Sequence, residues 1–407
     1  MTKANEGELV SEGTLPPDDF HDCIPRIIEV AGEELEVPED LLAKLQAIAA
    51  SELLVEPELL YGCAAALTTG NLILEGPPGT GKSSLARQLA NAFGVDLYAA
   101  TAHEDWSTFE VIGRQELRAQ PSVPGGPLVE QIVPVNGYFT ESVIRCAGQI
   151  SKHWDDEAEP QAEWLLIDEL NRAHPDRAFG ELFSVIGTDE LVEVVLNHQS
   201  AENDRFVVPR RFRIIATINT YDRQFVNTLS QALRRRFTFL TVGVPDRRPA
   251  GELWGEGASV AAREFTVVLA KAAATAERRL GYGEGMLGGH LANGAAHELA
   301  VEVFELVEHI RYAEAVSELP YIPVGTACLI DVMTAFLVRW AQTDFDIADA
   351  AASMDWAVCA KLVPLFEVDI VNRQKLLQLA DRMPQTFGRL THRRIREISS
   401  DGAYFVP

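Results

Sequence analysis

One octapeptide constrains this chain more than anything else in it: Gly76-Pro77-Pro78-Gly79-Thr80-Gly81-Lys82-Ser83. It fits the spacing G-x-x-x-x-G-K-[ST], a loop that wraps nucleotide phosphates. Phosphate oxygens need backbone N–H donors at close range, and Gly79 and Gly81 let the backbone approach with no Cβ in the way. Lys82 brings a positive charge to the β- and γ-phosphates, and Ser83 offers a hydroxyl to Mg²⁺. Ser84 opens the next element and is grouped with the loop. The flanks fit: residues 71–75 read as a buried strand and 84–90 as a helix, which puts a bound anion on a helix N-terminus.

The rest of the chain has to accommodate that loop. Its 407 residues, 47% of them apolar, predict two or three globular domains at roughly 100–200 residues each. No run reaches the roughly 18 uncharged apolar residues of a membrane span, and the opening MTKANEGELVSEG has no apolar signal core. The five cysteines, Cys23, Cys63, Cys146, Cys328 and Cys359, are scattered, odd in number and form no C-x-x-C pair. This argues for a reducing cytoplasm and against a disulfide frame or structural zinc. The net charge of −25 repels nucleic acid, whose affinity rests on phosphate neutralisation. Direct DNA binding would need a local basic patch. The candidates, Arg210-Arg211 with Arg213, Arg234-Arg235-Arg236 and Arg393-Arg394, are all short.

Along the chain, residues 1–20 read as a mobile polar tail and Ile27–Val30 as a short strand. Helices are expected over 39–51 and 57–67. Residues 95–100 read as a second core strand. Residues 101–138 form an irregular insertion in which 128–135 alternates weakly enough for a hairpin. A helix is expected over 139–150, a strand over 164–169 and a helix over 175–186. The pieces 206–209 and 212–219 read together as a further strand, and a helix at 226–235 and a strand at 237–242 follow. Strands alternating with helices predict a parallel sheet covered on both faces, closing near residue 245. Beyond it the periodicity turns helical, over 258–280, 295–312, 325–342, 349–366 and 372–382. The fold class expected is thus α/β, a phosphate-loop core over 21–245, followed by an all-α domain over 246–407.

Three further groups carry chemistry. Asp168 and Glu169 end an apolar strand: the first carboxylate suits Mg²⁺, the second suits a general base for water. Asn219 ends the next core strand, where a neutral amide orients water. Arg235 and Arg236, within the triplet 234–236, suit arginine fingers that reach a neighbouring subunit's γ-phosphate. His103, His153 and His174 lack metal-ligand spacing and read as polar surface. Trp106 and Phe109 read as apolar anchors of the irregular loop, and the stretch 154–157 as solvated.

The ordered set GPPGTGKS (76–83), LLIDELNRA (165–173), FGEL (179–182), ATINTYDR (216–223) and ALRRRF (232–237) resembles the AAA+ ATPases, above all the McrB-like branch of modified-DNA restriction and its MoxR-like relatives. The resemblance spans about residues 40–245. It implies a hexameric ring with nucleotide at subunit interfaces, Asn219 as the sensor-1 residue, a finger from Arg235 or Arg236, and a helical lid after the sheet. It implies ATP, or GTP as in McrB relatives, together with Mg²⁺.

The chain also departs from the pattern. Where many AAA+ lids carry a sensor-2 arginine it reads Pro323-Val324-Gly325-Thr326-Ala327, with Arg311 and Arg339 nearby in sequence. Tyr221 replaces the small residue usual in McrB-like chains, so GTP preference is not carried over. No base-recognition domain is readable at the N-terminus, so any DNA reading falls to a partner. The expected activity is a ring-forming nucleoside triphosphatase that drives a partner, as the motor of a restriction or antiphage system beside a nuclease. The alternatives are a MoxR-like assembly chaperone beside a von Willebrand-type protein, and a slowly hydrolysing nucleotide-gated scaffold.

Overall fold

Two helices lead into the sheet, α1 (Leu41–Ala50) and α2 (Pro57–Thr69). Pro57 stands at the first helical position, where its missing N–H costs nothing. The computed structural model describes residues 30–400 except 122–127, 183–184, 188–190, 192, 196–204, 221–228, 256–258, 293, 314–316 and 367–372. The tail expected at 1–20, and all of the strand expected at Ile27–Val30 except Val30 itself, lie outside the described residues.

The α/β part then runs β1 (Asn71–Gly76), α3 (Lys82–Phe93), β2 (Asp96–Thr101), α4 (Thr108–Val111), β3 (Gly113–Pro121), β4 (Leu128–Asn136), α5 (Tyr138–Asp155), β5 (Glu163–Asp168), α6 (Pro175–Phe179), β6 (Glu193–Val195), β7 (Arg205–Val207), β8 (Ile214–Asn219), α7 (Gln231–Arg234) and β9 (Phe237–Thr241). Five strands form one parallel sheet in the order β2-β5-β8-β1-β9. Its central strands are apolar runs buried on both faces, Leu72–Leu74 in β1, Trp164–Ile167 in β5 and Ile214–Ala216 in β8, as helix-covered parallel strands require.

The hairpin expected within 101–138 is present and longer than its readable half, with β3 and β4 paired from Gly113–Asn136 to Pro121–Leu128. Its alternation is weak because Arg114, Glu116 and Arg118 ion-pair on one face while Leu117 and Ile132 stand exposed on the other. Trp106 is buried and stacks on Tyr138 at 5.2 Å. Phe109 is 62% exposed, so only the tryptophan anchors this segment.

Three expectations need correction. The pieces 206–209 and 212–219 are not one strand. Pro209 lacks an N–H and starts a turn closed by Phe212 N–H to Pro209 O, so β7 pairs with β6 in a separate antiparallel hairpin while β8 joins the main sheet. The helix expected over 175–186 is cut to α6 and a 3₁₀ turn at Gly180–Leu182. Of the helix expected over 226–235, residues 226–228 lie outside the described residues. Ser230 is extended and its hydroxyl accepts from Leu233 N–H, so α7 starts only at Gln231.

The helical part comprises α8 (Val260–Leu280), α9 (Gly288–Ala292), α10 (Ala295–Arg311), α11 (Thr326–Ala341), α12 (Ile347–Lys361), α13 (Arg373–Arg382) and α14 (Leu390–Ser400). The five expected helices are α8 and α10 to α13. Helix α12 stops before Pro364 and a 3₁₀ turn, Val363–Phe366, follows. The sequence did not point to α9, which begins at a glycine pair, or to α14, which has a charged face and buries Ile395. One apolar core surrounds the sheet and a second lies among the helices from Phe265 to Ile395. No described helix is long and apolar enough to cross a membrane.

Two basic clusters are tied up locally. Arg211 is buried against Glu36, Arg210 pairs with Glu34, and Arg213 donates to the Leu67 carbonyl. Arg393 and Arg394 both meet Glu397.

Candidate active site

The loop between β1 and α3 takes two left-handed steps, at Gly79 (φ 76°) and Gly81 (φ 84°), which a side chain would resist. Gly81 caps the N-terminus of α3, where an anion is favoured. Lys82 is buried, and its Nζ donates to the carbonyls of Gly76 (3.1 Å) and Pro77 (2.7 Å). Burial pulls its ammonium down to about 8, against the upward pull of Asp168 and Glu169.

Parallel register brings the other groups level with the loop. Gly76 lies opposite Asn219, and Ile167 opposite Ala216, so β1, β5 and β8 end at one edge. Ser83 Oγ donates to both Asp168 oxygens, at 2.9 and 3.0 Å. Thr217 also donates to Asp168 Oδ1, and its own oxygen accepts from Glu169 N–H at 3.0 Å. Glu169 adopts φ 57°, an uncommon choice for a residue with a Cβ. Its Oε1 accepts from Asn219 Nδ2 at 3.1 Å, and its Oε2 meets Arg172 Nε at 2.6 Å. Buried Asn171 brackets the Asn219 backbone: its Nδ2 donates to Asn219 O at 3.2 Å and its Oδ1 accepts from Asn219 N–H at 3.3 Å.

These groups line one side of a cleft of about 410 Å³. The other side is Glu52, Leu53 and Leu54 from the turn after α1, and Lys271, Thr326, Ala327 and Ile330 from the helical part. Two contacts straddle the opening: Lys271 pairs with Glu52 at 3.3 Å, and Arg263 donates to the Ala49 and Ser51 carbonyls at the end of α1. Residues 76–83 with Ser84, Asp168, Glu169 and Asn219 are thus brought together. Arg235 and Arg236 are not in this cleft. Arg236 turns back to the Ala232 carbonyl, Arg234 lies over the Phe239 ring, and Arg235 is exposed, its side chain making no hydrogen bond or ion pair to the described residues. Arg311 and Arg339 do not line the cleft either: the first is buried against Glu264, the second stacks over Trp356. Residues 221–223, part of the family-like pattern, lie outside the described residues.

Sequence reading missed Thr217, Asn171, Arg172 and Lys271. Asn171 and Arg172 stood inside a quoted motif without a role. Thr217 was visible as the single hydroxyl in an apolar strand. Lys271 had no local signal, because helix packing alone brings it here.

Among the described residues no three His, Cys, Asp or Glu side chains converge as a metal cage. Mg²⁺ needs no such cage, since it takes one or two protein oxygens with water and phosphate. The Ser83 hydroxyl and Asp168 carboxylate, already in contact beside the loop, are hard oxygen donors of that kind and fit it.

Comparison with known proteins agrees with this geometry. Residues 71–237 match the AAA domain of the dynein-related subfamily. The chain is 30% identical over 179 residues to the type IV methyl-directed restriction enzyme EcoKMcrB subunit of Escherichia coli strain K12, covering 42% of this chain and 35% of that protein. It is 27% identical over 181 residues to the gas vesicle ATPase GvpN of Ancylobacter aquaticus, covering 43% and 46%. It is 28% identical over 229 residues to the ATP-dependent zinc metalloprotease FtsH 4 of Sphaerobacter thermophilus, covering 55% and 27%. In each case the chain spans less than half the relative's length. The parallel sheet, the phosphate loop on its central strand, the carboxylate pair and these matches identify residues 71–237 as an AAA domain, similar to those of the McrB subunit and the gas vesicle ATPase.

Proposed function

We propose that this chain is a Mg²⁺-dependent nucleoside triphosphatase, with ATP as its nucleotide and GTP as the alternative, that assembles into a cytoplasmic ring and drives a protein partner. The observation that carries this reading is the meeting of Ser83, Asp168, Glu169 and Asn219 at one end of a cleft floored by the phosphate loop. Residues 76–84 hold the phosphates, Lys82 supplies positive charge, and Ser83 and Asp168 hold the metal. Bound Mg²⁺ neutralises charge that builds on the phosphate oxygens. Glu169 takes a proton from water and Asn219 orients that water. Arg235 acts on the nucleotide of a neighbouring subunit. Its exposure and lack of a described partner favour it over Arg236, which is spent on the Ala232 carbonyl.

The restriction-enzyme relative supports a motor of a restriction or antiphage system, with a nuclease as partner. The gas vesicle ATPase supports a second reading, a MoxR-like assembly chaperone whose partner is of the von Willebrand type. The deciding measurement is steady-state hydrolysis of ATP and of GTP against protein concentration, with mass photometry in parallel. Turnover that rises steeply as rings assemble supports fingers acting in trans. An assembled ring with flat, negligible turnover points instead to a nucleotide-gated scaffold.

A further inference from the structure

The helical part meets the phosphate loop with backbone, not with a charged side chain. Gly325 precedes α11, and a Cβ there would lie 2.3 Å from Pro78 O and 2.6 Å from the Gly79 carbonyl carbon. The next turn is hydrogen-bonded to the loop, with Ala327 N–H donating to Gly79 O at 3.1 Å. Two residues flank Gly325, and each is held by one member of the same buried ion pair. Arg311 Nε donates to Val324 O at 2.7 Å, and Thr326 Oγ donates to Glu264 Oε1 at 2.6 Å. Arg311 and Glu264 join in two further bonds, at 2.7 and 2.8 Å, with side chains only 4% and 1% exposed. Next to Arg311, Tyr312 donates its hydroxyl to Pro245 O, and Pro245 lines the cleft.

A buried ion pair is a poor device for stability alone, since desolvation offsets much of the attraction. It is a good device for direction. The guanidinium is a rigid planar fork, and here three of its N–H groups are aimed at fixed targets. We infer that Glu264 and Arg311 are positioning residues for the nucleotide site, holding the Val324–Ala327 turn against Pro78 and Gly79 so that the phosphate loop keeps its binding shape. This rests on the nucleotide reading above.

The test uses the purified full chain, titrated with mant-ATP and Mg²⁺ and assayed for ATP hydrolysis. Thr326→Val removes one link at constant volume, Gly325→Ala drives a methyl into the loop, and Arg311→Lys keeps the charge but loses the fork. Each is expected to raise the mant-ATP Kd and the KM for ATP about tenfold, with a smaller fall in kcat. A loss of folded protein alone would lower apparent kcat and leave KM unmoved. Should Arg311→Lys fail to fold, the two milder variants carry the test. Folded Thr326→Val and Gly325→Ala proteins that bind mant-ATP within about twofold of the parent overturn the inference while the nucleotide site stands. A parent chain that binds no mant-ATP, like its Lys82→Ala variant, overturns the nucleotide reading and this inference with it.

Discussion

The two walls of the cleft follow opposite plans. The sheet wall presents chemistry: a hydroxyl at the start of α3, and two carboxylates and an amide at the ends of β5 and β8, whose register is set by their neighbours. The helical wall presents backbone, the methyl groups of Ala327 and Ile330, and one lysine, while its strongest charges, Glu264 and Arg311, are buried behind the surface. A parallel ladder cannot shift one strand without breaking its neighbours' bonds, so it suits groups that must stay in place. The helices form their own core and touch the sheet wall at few points. Their natural part is to shape the loop and enclose the ligand, not to react with it.

The contrast breaks most visibly at Glu169. Glu169→Gln keeps the side chain's size and its reach to Asn219 but removes the base. Hydrolysis is expected to fall about 10²–10⁴-fold in single-turnover assays, with mant-ATP affinity nearly held. Hydrolysis at the parent rate would remove Glu169 from the chemistry. Loss of binding as well would mean that the carboxylate serves the wall's architecture through Asn219 and Arg172.

The same division decides what was legible in the sequence. The sheet wall was readable because Ser83 belongs to the phosphate-loop motif and the other groups follow largely apolar strands, Asp168 after Trp164–Ile167 and Asn219 after Ile214–Ile218. Periodicity also found the long lid helices. It did not find what depends on which helices touch. Nothing local marks Lys271 as lining this cleft, or Glu264 and Arg311, 47 residues apart, as one unit around Gly325. That residues 323–327 hold no arginine was visible, but the backbone contact found there was not. Helix α14 was missed because its charged face outweighs its small apolar one.

A second, smaller effect tests the sheet wall through pH. The Lys82 ammonium, pulled down to about 8 by burial, keeps its usual 10.5 when the chain unfolds. Polyphosphate bound beside it favours the protonated form and raises its pKa. Affinity for mant-ATP is therefore full below about pH 8 and falls as pH rises through that value, by at most about tenfold per unit for one proton. Binding near pH 8.5 should take up protons, read as a buffer-dependent heat in calorimetry. The empty protein goes the other way. Between 8 and 10.5 the unfolded state holds more protons at this site, so its contribution to stability rises with pH. A pH-independent affinity across this range would mean that the ammonium stays charged in the empty loop.

The smallest effect concerns Arg172, which connects the chemistry to regulation. Its Nε lies 2.6 Å from Glu169 Oε2 while Asn219 engages Oε1, so both oxygens of the proposed base are occupied before any water arrives. The pair is partly exposed, at 47% and 27%, and such pairs are worth about 0.2–1 kcal/mol. Removing that restraint changes a rate by no more than about fivefold. Arg172→Ala is accordingly expected to raise basal turnover about two- to fivefold and to shrink any stimulation by a partner in proportion, because the partner then has less to release. A fall in turnover would reverse the assignment: Arg172 would be holding Glu169 in its working position, and its left-handed backbone would need that arginine to keep the carboxylate in the cleft. Both outcomes are read from the same assay, basal and stimulated hydrolysis at saturating ATP.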